Sequence, residues 1–120
     1  MFERKEYDEL PTIEIKQPEI TITGRSIPED ADLAYYPFIK QLESIALNWT
    51  ELVINFRFDY YNTASTRYIT RIITILDEMR TRATVKINWF YLEKDEDMQD
   101  LGEDYKEIYS KLNIKLIKRI

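Results

Sequence analysis

The chain has 120 residues, a formal net charge of −5, and neither cysteine nor histidine. The absence of these two residue types excludes disulfides, thiol nucleophiles and any catalytic triad or metal site that needs an imidazole. Its two glycines, Gly24 and Gly102, are too far apart to form a glycine-rich phosphate-binding loop. The chemistry that remains is that of carboxylates, hydroxyls, basic side chains and aromatic rings.

Charge and hydropathy limit the partners and the cellular location that can be expected for this chain. Twenty-two acidic residues against seventeen basic ones disfavour binding to nucleic acid or to an anionic membrane. No window approaches the ~18 apolar residues of a membrane span. The charged N-terminus is not followed by the apolar run that a signal peptide needs. We therefore expect a cytoplasmic protein, and nothing in the composition calls for a metal or another cofactor.

The first part of the chain predicts an arm, two strands and a helix. Residues 1–11 are expected to form a flexible arm, so that a single domain spans residues 12–120. Alternating apolar residues predict strands at 12–16 and 19–23, with a turn or kink at Gln17-Pro18. Acidic residues after Pro28 are typical of a helix start, and Pro37 fits this helix only in its first turn. The apolar face of the helix comprises Tyr35, Phe38, Ile39, Leu42, Ile45, Ala46 and Trp49.

The rest of the chain alternates between strands and helices. Strict alternation predicts strands at about 52–59 and 84–91, each with one apolar and one polar face. Helices are predicted at about 64–82 and 97–112, and a last strand at 114–117. The order β-β-α-β-α-β-α-β predicts an α/β fold, a mixed sheet with its helices packed on one face. The inward residues are Ile69, Ile72, Ile73, Leu76 and Met79, then Met98, Leu101, Tyr105, Ile108, Tyr109 and Leu112.

Hydroxyl-bearing residues gather where the third strand meets the second helix, and two interpretations are open. Such residues often cap helices, because a side-chain oxygen accepts hydrogen bonds from free backbone N–H groups. The same position suits a phosphorylated hydroxyl, because the positive end of a helix tolerates added negative charge. Arg67, four residues after Thr63, could help to balance that charge. The residues of this junction are Tyr60, Tyr61, Asn62, Thr63, Ala64, Ser65 and Thr66.

Three separated segments resemble one family, the SiaC-like bacterial regulatory phosphoproteins. Residues 58–65 resemble its phosphoacceptor motif, in which an Asn-Thr pair precedes a long helix. Residues 27–31 resemble its entry into the first helix. The third segment combines Trp89-Phe90-Tyr91 with Asp95-Glu96-Asp97-Met98 and Gly102-Glu103. The resemblance covers about residues 12–118.

The resemblance implies a STAS-like domain, similar to anti-sigma-factor antagonists, that is a switch and not an enzyme. It implies that a cognate serine/threonine kinase phosphorylates Thr63 and that a PP2C-type phosphatase removes the phosphate. The unphosphorylated form would bind an effector such as a diguanylate cyclase, in cyclic-di-GMP control of biofilm formation. The serine that follows this threonine in the family is Ala64 here, so Ser65 is the alternative acceptor. Asn62 and Arg67 are expected to support the site.

Two further groups of residues are candidate partner-binding sites. Acidic residues cluster between positions 93 and 107, with Asp95 and Asp97 among them, and form a solvated face, a docking surface for a basic partner or a Mg²⁺ or Ca²⁺ site. The spacing lacks the glycine and the closing glutamate of an EF-hand loop. One of Tyr60 and Tyr61 must point away from the core and could anchor a partner.

Two other functions compete with the switch. One is a small enzyme that uses carboxylates and a divalent ion. The other is a constitutive scaffold protein in which Thr63 only caps the second helix. A kinase-like gene and a PP2C-type phosphatase gene beside the gene for this chain would favour the switch over both.

Overall fold

The computed structural model describes residues 11–26 and 28–119, without the side chains of residues 28–32. Residues 1–10 of the predicted arm, Ile27 of the first helix's entry motif and the side chains of the rest of that motif thus lie outside the part that the structure describes. A 3₁₀ turn, Thr63–Ser65, precedes the second of three α-helices. The other elements are β1 (Pro11–Lys16), β2 (Glu19–Ser26), α1 (Pro28–Asn48), β3 (Glu51–Tyr61), α2 (Thr66–Met79), β4 (Thr84–Leu92), α3 (Glu96–Ile108) and β5 (Asn113–Arg119).

One five-stranded sheet contains the strands in the order in which they occur along the chain. β1 is antiparallel to β2, and each later pair of neighbours is parallel. A parallel connection is nearly always right-handed, so a strand order that never reverses leaves every helix on the same side of the sheet. This arrangement confirms the predicted mixed sheet with helices on one face, and it brings the carboxyl ends of β2 and β3 together at one edge.

The helix-covered face of the sheet carries the core. Most residues on the apolar faces of the strands are buried there against the predicted apolar stripes of the helices, while Ile13, Ile15 and Tyr91 are partly buried. Ile108 is an exception, since 69% of its surface is exposed. The helix ends at Ile108, and the turn that follows it buries Leu112 instead. The largest fully buried side chains are Trp89, Tyr35, Phe56, Ile20, Ile22, Leu42, Leu52, Ile54, Ile69, Ile72, Ile73 and Leu76.

Pro37 lies well inside α1, and its expected place in the first turn was wrong because the helix begins at Pro28. Proline has no N–H, so the carbonyl of Leu33 lacks its usual partner within the helix. Leu33 and Pro37 are both exposed, which lets water take the place of that partner. The helix therefore continues to Asn48. Within the described chain, no helix is long and apolar enough to cross a membrane.

The opposite face of the sheet carries no helix among the described residues, and a row of hydrogen bonds crosses it. Asn88 Nδ2 donates to Asn55 Oδ1 at 2.8 Å. Asn55 Nδ2 in turn donates to Glu19 Oε2 at 2.9 Å and to Thr21 Oγ1 at 3.1 Å. Asn55 is buried although it lies on the polar face of its strand, and these bonds satisfy its amide. The row therefore links three neighbouring strands on this face.

Trp89 on β4 provides the surface on which α3 packs. Its indole is fully buried, and Nε1 donates to the carbonyl oxygen of Met98 at 2.9 Å. Gly102 lies against the ring, where an added Cβ atom would come within 2.6 Å of Nε1 and closer still to Cδ1. A glycine at this position is what allows the helix backbone to approach the indole.

Gly102→Ala is expected to destabilise the fold by about 1–3 kcal/mol, because the new methyl group overpacks against Trp89. The free energy of unfolding is measured by urea titration. Glu107→Ala on the exposed side of α3 is the matched control and should change stability by less than about 0.5 kcal/mol. Alanine normally gains about 1 kcal/mol over glycine inside a helix. A more stable Gly102→Ala variant would therefore contradict the close contact.

Candidate functional site

The side chain of Asn62 organises the turn between β3 and α2. Its Oδ1 accepts a hydrogen bond from the N–H of Ala64 at 2.9 Å, and its carbonyl oxygen accepts from the N–H of Ser65 at 2.8 Å. The N–H of Asn62 donates to the carbonyl oxygen of Ser26, at the end of β2, at 2.9 Å. These three bonds fix the turn to the edge of the sheet and so hold the hydroxyls that follow.

Thr63 and Ser65 differ in their access to solvent. Thr63 is exposed at the first position of the 3₁₀ turn. Ser65 is fully buried, and its Oγ finds no hydrogen-bond partner among the described residues. An orphaned buried hydroxyl costs about 1–3 kcal/mol, and the turn would have to open before another protein could reach it.

Thr63 lines a surface depression of about 450 Å³ between α2 and α3. Asp97, Asp100 and Asp104 line the same depression and lie on one side of α3, three and four residues apart. Thr66 and Leu101 complete the lining, and none of the described residues that form it is a lysine or an arginine. The hydroxyl of Thr63 therefore shares this space with three carboxylates.

Arg67 belongs to a different depression, although its spacing from Thr63 suggested a shared site. Its guanidinium donates to the hydroxyl of Tyr68 at 2.8 Å and lies 4.8 Å from the centre of that ring. It lines a groove between α1 and α2, away from the depression at Thr63. The contact with Tyr68 holds the guanidinium of Arg67 in the groove between α1 and α2. This position does not support a role for Arg67 in balancing the charge of a phosphate on Thr63.

Tyr60 and Tyr61 point in opposite directions, as the alternation of the strand requires. Tyr60 is 47% exposed and lies beneath the guanidinium of Arg25, 5.3 Å from the ring centre. Tyr61 packs against Phe58 with ring centres 5.2 Å apart, and its hydroxyl shares a hydrogen bond of 2.8 Å with Thr66 Oγ1. Burial raises the pKa of Tyr61, and the bond to Thr66 partly offsets this. Tyr61 thus holds the turn in place, while Tyr60 is open to a partner.

Hydroxyl pairs join α2 to α3, and hydrophobic periodicity gives no indication of them. Tyr105 shares a hydrogen bond of 2.6 Å with Thr70, and Tyr109 shares one of 3.1 Å with Thr74. Burial raises the pKa of Tyr105, so the phenol stays neutral near pH 7. The matching spacing of four residues in both pairs is the signal that could have revealed this contact. These bonds hold the acidic side of α3 beside the turn at Thr63.

The acidic residues singled out in the sequence have separate roles. Asp95 caps α3, since its Oδ1 accepts a hydrogen bond from the N–H of Met98 at 3.0 Å. Asp97 lies in the depression at Thr63. In the part of the chain that the structure describes, no group of three or more acidic side chains is arranged to hold a metal ion. The carboxylates near Thr63 therefore form a charged surface.

Comparison with known proteins identifies the family of this chain. The family model described as SiaC family regulatory phosphoprotein matches residues 4–119, nearly the whole sequence. The chain belongs to the SiaC family. This confirms the resemblance seen in the three sequence segments. Among curated proteins, none matches the sequence.

Solved structures of SiaC from Pseudomonas aeruginosa share the fold. A chain in the complex of the diguanylate cyclase SiaD with its activator SiaC superposes with a TM-score of 0.81 at 23% identity, covering 93% of this chain and 94% of that one. Apo-SiaC from the same organism gives a TM-score of 0.77 at 22% identity, with 92% of each chain covered. At this level of identity the likeness shows the fold alone, which in the described residues has five strands and three α-helices.

Asn62→Ala should destabilise this SiaC family chain by about 0.5–2 kcal/mol, because the N–H of Ala64 loses its acceptor at the start of the turn. Urea unfolding monitored by circular dichroism gives the free energy. Asn62→Asp keeps the acceptor oxygen and is the matched control, which should lose much less stability. Equal losses in the two variants would mean that the cap contributes nothing.

Proposed function

We propose that this SiaC family member is a phosphorylation-controlled protein-interaction switch whose acceptor is Thr63. The proposal rests on the exposure of Thr63 at the start of the turn that leads into α2. The positive end of the α2 dipole favours negative charge at such a position. Ser65, the alternative acceptor, is buried, which favours Thr63.

The surroundings of Thr63 would make its phosphorylation a strong local change. A phosphate adds about −1.5 to −2 charges at pH 7. It would enter the depression that Asp97, Asp100 and Asp104 already line, where like charges repel each other. A partner that binds the free hydroxyl would then meet added bulk and a concentrated negative charge. Tyr60, exposed close to the turn, is the proposed aromatic anchor of that partner.

The partners follow from this role. A cognate serine/threonine kinase adds the phosphate and a PP2C-type phosphatase removes it, so the chain is their substrate and not an enzyme. The unphosphorylated form binds an effector protein in the cytoplasm. Because Pseudomonas aeruginosa SiaC is the activator of the diguanylate cyclase SiaD, a diguanylate cyclase is the first effector to test. Control of cyclic-di-GMP and biofilm formation in a bacterium is the expected output.

The scaffold alternative needed Thr63 to cap the helix. Asn62 caps the 3₁₀ turn, and the N-cap position of α2 is Ser65, whose side chain makes no capping bond, so Thr63 does not occupy the N-cap position of the helix. The carboxylate enzyme needed grouped ligands for a divalent ion, and the described acidic residues do not form such a group. Both observations favour the switch.

Incubation with ATP and the cognate kinase is expected to place one phosphate on Thr63. Peptide mapping by mass spectrometry identifies the site. Thr63→Val should abolish the modification, and Thr81→Val, at an exposed threonine beyond the far end of α2, should leave it unchanged. A chain that carries no phosphate on any residue from Thr63 to Thr66 would refute the switch.

Thr63→Asp is expected to weaken binding of a candidate diguanylate cyclase at least about tenfold, or about 1.4 kcal/mol, whereas Thr63→Ala should bind like the wild type. The reason is that only the aspartate adds negative charge to the depression. Isothermal titration calorimetry measures the affinities, and Thr81→Asp is the control for charge added elsewhere. If Thr63→Asp and Thr63→Ala bind equally well, the electrostatic mechanism is wrong.

A further inference from the structure

A second surface lies between α1 and α2 and shares no residue with the depression at Thr63. It is a groove of about 360 Å³, here called the α1–α2 groove. Most of its lining side chains are aromatic or charged. These aromatic and charged residues are Tyr36, Lys40, Glu43, Arg67, Tyr68 and Arg71.

Large apolar side chains are exposed on α1, and one of them, Tyr36, lines the groove. Leu33, Tyr36 and Leu47 are 69%, 61% and 74% exposed. Together with Lys40 and Glu43 they occupy positions 33, 36, 40, 43 and 47, which alternate in spacing between three and four residues. This is the spacing of the seam along which two helices pack in a coiled coil. The helix thus has a second, partly apolar face, and no element among the described residues covers it.

Basic side chains dominate the groove. The ammonium of Lys40 lies 5.7 Å from the centre of the Tyr36 ring. The guanidinium of Arg67 covers Tyr68, and Arg71 faces Glu43 at 3.6 Å in an exposed ion pair. Among the described lining residues, three cations against one carboxylate give a local charge opposite in sign to the net charge of −5 of the chain. A partner suited to this surface therefore combines apolar side chains with negative charge.

We propose that the α1–α2 groove is the docking surface for an amphipathic α-helix of a partner protein that carries acidic residues beside its apolar stripe. The apolar residues of that helix would pack on Leu33, Tyr36 and Leu47, and its carboxylates would face Arg67 and Arg71. A second copy of this chain fits less well, because two basic grooves brought face to face repel each other. The surface is independent of phosphorylation at Thr63 and extends the proposed switch by a second contact.

Two synthetic peptides test this surface on the full chain. Both have 21 residues with leucine at the seam positions, and they differ only in carrying glutamate or lysine at the flanking positions. Fluorescence anisotropy should give a Kd below about 1 mM for the glutamate peptide and an affinity at least about tenfold weaker for the lysine peptide. Arg71→Glu should weaken the glutamate peptide at least about tenfold and strengthen the lysine peptide. Lys115→Glu, an exposed change on β5, is the matched control and should alter neither.

Three results would overturn the proposal. The first is equal affinity for the two peptides, or no measurable binding of either. The second is an affinity for the glutamate peptide that Arg71→Glu does not change, in a variant whose thermal unfolding matches the wild type. The third is a homodimer in sedimentation equilibrium that Leu47→Asp dissociates, since a second copy would then cover the groove. Thr63→Ala should bind the glutamate peptide like the wild type, so failure of the kinase experiment and failure of this one are distinguishable.

Discussion

The position of α3 depends on the buried indole of Trp89. The ring donates its only hydrogen bond to a carbonyl of the first turn of α3, and Gly102 lets the helix backbone lie directly against it. Because α3 carries the three aspartates of the depression, this packing decides how near their carboxylates come to Thr63. The packing of α3 on Trp89 in the core thus determines the charges that surround the exposed Thr63. A substitution that moves the helix would change the site without touching any of its residues.

The two surfaces beside α2 have opposite charge. The depression toward α3 is acidic, while the groove toward α1 is basic and partly aromatic. A chain with a modest net charge has therefore separated its charges across one helix. Opposite surfaces of this kind let a small protein discriminate among partners, because a partner attracted to one surface is repelled by the other.

Much of the fold could be predicted because a sheet covered on one face requires two-faced strands, and that alternation is visible in the sequence. The differences arise where tertiary contacts override local rules. Apolar periodicity wrongly placed Ile108, the exposed last residue of α3, in the core, and the exposure of Pro37 let α1 continue through it. Asn55 was expected in solvent but is buried by its hydrogen-bonded neighbours. For the site, spacing located Thr63 at its turn, whereas stacking on Tyr68 directs Arg67 elsewhere.

The strands lie in the sheet in the same order as in the chain, and this order affects how the protein can fold during synthesis. Each strand pairs with the one made just before it, so the sheet can grow from its N-terminal edge while the chain is still leaving the ribosome. α3 and β5 emerge last. Until they are in place the turn at Thr63 lacks the aspartates of α3, and a nascent chain presents a different surface there than the completed protein does.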